Sequence, residues 1–123
     1  MTNSPPTICV VGSSNIDQIA YTDRVPNRGE TLIGKSFEMG FGGKGANQAV
    51  MAGILGANTY MITCLGDDPY ADMTIENYKK CNVNIDYIQR VSGSSGVAPI
   101  WVEEDGTNRI IVISGANDFL EAD

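Results

Sequence analysis

The chain has 123 residues, 42% hydrophobic and 19% charged, with a formal net charge of −7 and no histidine. That length holds one small domain, and no apolar run approaches the ~20 residues of a membrane-spanning helix. Eight scattered Lys and Arg against fifteen Asp and Glu argue against a nucleic-acid surface, and the lack of histidine rules out a His triad, a His general base or a His-ligated metal within the chain.

The first residues, Met1-Thr-Asn-Ser-Pro-Pro6, have neither the basic start nor the apolar core of a signal peptide and read as a short tail. With the acidic balance, they lead to the expectation of a cytoplasmic protein with no membrane partner. Thr7 to Gly12 is a continuous apolar run ended by Gly and Ser, the pattern of a strand buried on both faces of a parallel sheet. Ile16 to Thr22 and Glu30 to Met39 interleave apolar and polar residues, as half-exposed strands do, around a loop at Val25-Pro-Asn-Arg-Gly29.

Gly45 to Leu55 is expected to be a helix rich in small residues, and Thr59 to Leu65 a second buried strand. Asp67-Asp68-Pro69 then opens a helix with an acidic cap and an early proline; Lys79 and Lys80 suit its negative end. Gly96 to Glu103 and Asn108 to Ser114 are expected strands on either side of a hairpin at Glu104-Asp-Gly-Thr107, and Leu120 begins a further helix. Ser92-Gly-Ser-Ser-Gly96 is a turn or hinge. The order β, α, β, α followed by two strands points to an α/β layered core with a small separate sheet. Cys9, Cys64 and Cys81 form an odd set without metal-type spacing; Cys9 and Cys64, inside apolar runs, are expected to be buried free thiols.

Two groups of residues carry potential chemistry. Asn15 and Asp17 follow the first strand, and in open α/β sheets ligands gather beyond the carboxyl ends of strands. Two residues apart on extended chain, their side chains point the same way and can donate to and accept from neighbouring hydroxyls of a sugar. On local sequence alone, an Asx turn that ends the strand is the simpler account of the same residues. The second group is Gly42-Gly43-Lys44-Gly45-Ala46-Asn47-Gln48-Ala49. Lys44 is followed by Gly45 where a Walker A loop needs Ser or Thr, and the glycine spacing is not that of a dinucleotide fingerprint. The glycines either make a tight strand-to-helix turn or bring backbone N–H groups, with Lys44 and Asn47, up to a ligand at a helix N-terminus.

Val11-Gly-Ser-Ser-Asn-Ile-Asp17, Pro26-Asn-Arg-Gly-Glu-Thr31, Gly40 to Ala52, Gly66-Asp-Asp68 and Gly115-Ala-Asn117 occur together and in order. In these segments the chain resembles the ribokinase-like (PfkB) family of sugar kinases, over nearly all its length from Ile8, and its unbroken Gly42 to Gln48 run resembles the ribose and deoxyribose branch. The resemblance implies a partial α/β/α core with a β-sheet lid built from residues 16–22, 30–39, 96–103 and 108–114. It implies D-ribose or a similar pentose as ligand, contacted by Asn15, Asp17, Gly43, Lys44 and Asn47, with Ile16, Gly45 and Ala46 shaping the pocket. Trp101 and Ile113 face the sugar or a partner's lid, or simply pack; the resemblance leaves both open.

The family's activity is ATP-dependent phosphorylation of a sugar hydroxyl, with Mg2+ and a monovalent cation (K+), and its lids often pair into a homodimer. Its catalytic aspartate sits in a Gly-Ala-Gly-Asp motif that these 123 residues do not contain. The chain therefore resembles the N-terminal part of such a domain, with most of the sugar site but neither the base nor the ATP site, and inactive alone. Deoxyribose or a nucleoside as substrate, or a non-catalytic sugar-binding or lid-pairing module, are the alternatives. The resemblance also implies a core sheet that continues in further chain, so the isolated piece is expected to be marginally stable and prone to associate.

Overall fold

The structure is a computed structural model and describes residues 3–122. In chain order the elements are β1 (Thr7–Val11), β2 (Asn15–Tyr21), β3 (Ser36–Gly42), α1 (Lys44–Ile54), β4 (Asn58–Ile62), β5 (Cys64–Leu65), α2 (Pro69–Lys80), β6 (Val83–Asn84), β7 (Gln89–Arg90), β8 (Gly96–Val102) and β9 (Asn108–Ile110), then a 3-10 helix (Gly115–Phe119). They make an α/β fold in which a parallel sheet ordered β1-β4-β6 and a mixed sheet ordered β3-β2-β8-β9 meet at the turn between β1 and β2. A two-stranded parallel pair, β5-β7, lies alongside.

The two helices start for different reasons. Asp68 caps α2, its carboxylate accepting from the Ala71 N–H at 3.0 Å, with Pro69 in the first turn and Lys79 and Lys80 in the last. Helix α1 begins at Gly43 with no side-chain cap and no acidic residue in its first turn. What holds α1 is packing. Ala46 and Ala49 are buried against Met61, Tyr78 and Val83, and small side chains let the helix lie close to the sheet.

Several expectations need correction. Strand β1 is not buried on both faces: Thr7, Ile8, Cys9 and Val11 are exposed and only Val10 is half-buried. It is the outer strand of its sheet, hydrogen-bonded to β4 alone, so its apolar residues have too few neighbours to cover them. Cys9 is exposed with it, whereas Cys64 is fully buried. The run Thr59 to Leu65 is two strands, β4 in the β1-β4-β6 sheet and β5 paired with β7. The break falls at Thr63, whose buried hydroxyl turns to Ser14 (3.0 Å).

In the mixed sheet, β3 starts at Ser36 rather than Glu30 and runs on to Gly42, so the first glycines of the Gly-rich segment are strand, not turn. The residues before it form a loop tied by the Arg24–Glu30 ion pair at 2.5 Å and by the Lys35 N–H on the Tyr21 carbonyl at 2.7 Å. The pairing of β9 with β8 thins after Ile110. Ile111 N–H still donates to the Pro99 carbonyl (3.0 Å), but proline has no N–H to return, and the ladder survives only as a bridge between Val97 and Ile113. The hairpin turn forms between them, with Glu103 N–H on the Thr107 carbonyl at 2.8 Å. Beyond Ser114 the chain makes the 3-10 helix, and Leu120 is extended rather than the start of another helix.

Candidate functional site

The site is built where the turn after β1, the start of α1 and the start of β8 converge. Gly43 has φ +97° and ψ 135°, a conformation open to glycine, and a Cβ there would lie 2.5 Å from the Ser13 carbonyl oxygen. A Cβ on Gly45 would lie 2.8 Å from the Gly12 Cα. The helix start thus sits directly on the β1–β2 turn, and Ala46 N–H donates to the Ser13 carbonyl at 3.0 Å. With no cap and no acidic residue of its own first turn, α1 presents its positive end beside β2.

Strand β2 sorts the next residues by face. Ile16 is buried on the side that meets α2, where Gln18 Nε2 donates to the Tyr70 hydroxyl at 2.9 Å. Asn15 and Asp17 lie on the other face, in register with Gly96 and Ala98 of β8 and with Gly42 and Gly40 of β3. Both are half-buried. The Asp17 carboxylate stands against Gly42 and accepts no hydrogen bond from the described residues. Burial without a partner pushes its carboxyl above the ordinary aspartate value. An acceptor kept partly dry and unpaired, next to an amide and a helix N-terminus, is equipped to receive a ligand's hydroxyl proton.

The remaining residues named from sequence are less concentrated. Gly45 and Ala46 are buried and Lys44 is exposed at the helix start. Asn47 is exposed too, on the side of α1 that borders a groove of about 870 Å³ lined also by Pro5, Pro6, Ile8, Met51 and Leu55. Neither Asn15 nor Asp17 lines that groove. Trp101 pairs in register with Ala20, on the face of the mixed sheet away from Asp17, and borders a smaller cavity with Val25, Pro26 and Arg109. Ile113 bridges to Val97, on that same far face. The apolar residues on Asp17's face include Ile19 of β2 and Ala98 and Ile100 of β8, with Ile110 opposite Ile100.

Sequence reasoning missed the residues behind this surface. Ser14, fully buried, hydrogen-bonds through its hydroxyl to Tyr78 of α2 and to Thr63. Burial pushes the Tyr78 phenol up to about 12, with the Ser14 hydroxyl pulling the other way. The Gly93–Ser95 loop is held by Asp67 and Asp68: Asp68 accepts from the Ser95 N–H and hydroxyl, both at 2.7 Å. Burial would raise the Asp68 carboxyl, but these bonds and the one from Ala71 outweigh it and leave it below its ordinary value. Asn117, from the 3-10 helix, reaches Ser14, Asn15 and Ser114. Ser14 and Asn117 were marked in the sequence only by their places in Val11–Asp17 and Gly115–Asn117; Thr63 and Tyr78 carried no signal.

A glycine-led helix start beside an unpaired, desolvated carboxylate, at the carboxyl end of a parallel strand, defines an α/β protein with a site for a small polar ligand. Comparison with known proteins gives that class a family. The model of the pfkB family of carbohydrate kinases matches residues 5–123, and the chain belongs to that family. It is 48% identical over 114 residues to a deoxyribokinase of Salmonella typhi, covering 92% of this chain and 37% of the relative. It is 47% identical over 114 residues to a ribokinase of Dictyostelium discoideum, covering 92% and 36%. Among solved structures, Arabidopsis thaliana ribokinase complexed with ribose and ATP superposes with a TM-score of 0.84 at 38% identity, over 93% of this chain and 37% of that one. Thermotoga maritima ribokinase gives 0.82 at 40% identity, over 92% and 37%. The fold is the ribokinase fold, and the chain spans little more than a third of these relatives' length.

Proposed function

We propose that this chain is the N-terminal part of a single ribokinase-like domain and supplies most of the sugar-binding site of a pentose kinase. In that reading Asn15, Asp17, Gly43, Lys44 and Asn47 contact the sugar, while Ile16, Gly45 and Ala46 shape the pocket. The mixed sheet β3-β2-β8-β9 is the lid, through which the full-length protein forms a homodimer. The observation that carries the reading is the Asp17 carboxylate, half-buried yet without a donor among the described residues. A ribose hydroxyl is a donor of the right kind.

The whole protein then transfers the terminal phosphoryl group of ATP to the sugar's primary hydroxyl, with Mg2+ and K+ assisting. Among the described residues no three His, Cys, Asp or Glu side chains cluster to hold a metal ion, so no step is assigned to a metal through this chain's residues. This chain's share of the chemistry is to bind and orient the hydroxyls. Ribose is the substrate of this reading because a ribose-bound relative shares the fold at 38% identity. Deoxyribose is the second reading, favoured by the 48% identity to a deoxyribokinase. Direct competition between ribose and 2-deoxyribose on the full-length protein decides between them.

The assignment of Asp17 is tested by Asp17→Ala in the full-length protein. A hydrogen bond to a charged group is worth ~1.5–3 kcal/mol, so pentose affinity should fall on the order of tenfold to a hundredfold. Unchanged pentose affinity by calorimetry, in a variant that folds as the parent does, would remove Asp17 from the site.

A further inference from the structure

The strongest unassigned feature is the carboxamide of Asn117, which grips the backbone of Ser14 from both sides. Its Oδ1 accepts the Ser14 N–H at 2.9 Å, and its Nδ2 donates to the Ser14 carbonyl at 3.1 Å. The same Nδ2 reaches the Ser114 carbonyl at 2.9 Å and Asn15 Oδ1 at 2.8 Å. An amide's oxygen and nitrogen are easily exchanged in assignment, but here the partners decide. A backbone N–H can only donate and a backbone carbonyl can only accept, so Asn117 has one permitted orientation.

That orientation fixes the next residue. Asn117 Nδ2 shares its two hydrogens among these three acceptors and cannot itself accept, so Asn15 meets it with its oxygen. Its Nδ2 is left without a partner among the described residues, on the face it shares with Asp17. The close approach depends on Gly96, where any side chain would collide with both Asn117 Nδ2 and Asn15 Oδ1. Asn117 is itself held in place. Ala116 N–H donates to the Ser94 carbonyl at 2.8 Å, and Asn117 N–H to the Ser114 carbonyl at 3.0 Å.

We infer that Asn117 is a positioning residue that sets the polarity of the sugar site: it locks Asn15 as a hydrogen-bond donor beside the acceptor Asp17. The site therefore suits a pair of neighbouring hydroxyls of which one accepts from Asn15 and the other donates to Asp17. This inference rests on the proposal that Asn15 and Asp17 bind the sugar. Asn117 touches no ligand in it and acts only through Asn15.

The test is a double-mutant cycle in the full-length protein with Asn15→Ala, Asn117→Ala and the double variant. Ribose and 2-deoxyribose affinity are read by calorimetry and thermal stability is read in parallel. Asn117→Ala should weaken binding of the preferred sugar by about tenfold, and the double variant should bind no more weakly than Asn15→Ala alone. A structural role alone would lower the melting temperature without that coupling. Additive losses of affinity, or full affinity in Asn117→Ala, overturn the positioning role while leaving the sugar site standing. Full affinity in Asn15→Ala overturns the sugar-site reading and this inference with it. If Asn117→Ala does not fold, the cycle is run with Asn117→Asp. That variant keeps the acceptor for Ser14 N–H but sets an oxygen against Asn15 Oδ1, and the same coupling is required of it.

Discussion

The two ends of α1 stand in opposite surroundings. At its start, Gly45 and Ala46 are buried on the β1–β2 turn, and the polar groups behind that turn pair with Thr63, Tyr78 and Asn117. At its end, Met51, Ile54 and Leu55 are exposed, and Met51 and Leu55 line an open groove with Ile8 from the start of β1. One end is over-determined and the other is open. The lesson is that this chain completes the surface that faces the proposed ligand before it completes its core. A closely packed, hydrogen-bonded end tolerates little change, whereas an open end tolerates much.

The largest effect is expected at the closed end, from Gly43→Ala. The new methyl meets the Ser13 carbonyl at 2.5 Å, and the backbone stays at φ +97°. Overpacking and a glycine-only conformation each cost on the order of 1–3 kcal/mol. Denaturant unfolding of the full-length protein should show a loss of about 3 kcal/mol, together with weakened sugar binding. A variant as stable as the parent would mean that the helix start is not pinned to the turn.

Tyr78→Phe should cost less, about 1–3 kcal/mol, because it leaves the buried Ser14 hydroxyl with Thr63 alone. It also carries a pH signature. The phenol is pushed up to about 12 in the folded chain against about 10 unfolded, so the native state holds its proton more tightly. That contribution is complete below pH 10 and is lost as pH rises toward 12, at about 1.4 kcal/mol per unit. Stability measured from pH 9 to 12 should fall less steeply in Tyr78→Phe than in the parent. Parallel curves would place the phenol in contact with water.

These effects also mark what could be read before the structure. Helix α2 was legible because its signals are local: Asp68 and Pro69 at one end, Lys79 and Lys80 at the other. The turn at Glu103–Thr107 was legible for the same reason. The exposure of β1 was not, since an apolar run tells which side chains can be buried but not whether anything lies beside them. The break at Thr63 depends on a hydroxyl partner 49 residues away. Asn117 meets Ser14 across 103 residues, and no periodicity or spacing spans that distance. Asn15 and Asp17 were singled out because their signal, two polar residues just beyond an apolar strand, is a local one; what orients Asn15 is not.

The smallest effect belongs to the open end, and it sharpens the contrast most. Leu55 is 77% exposed at the last turn of α1, so Leu55→Ser should change the stability of this 123-residue chain by no more than about 0.5 kcal/mol. The family to which the chain belongs gives reason to expect a different answer in the full-length protein, whose relatives extend well beyond the matched segment. If further chain covers this end of α1, burial of a leucine there is worth about 1.5–3 kcal/mol, and the same substitution should cost most of that. Equal, small effects in the short and the full-length chains would show that the end of α1 faces water in both. A large effect in the short chain alone would mean that the exposed leucine is already covered by a second copy, which dilution in a sedimentation experiment would reverse.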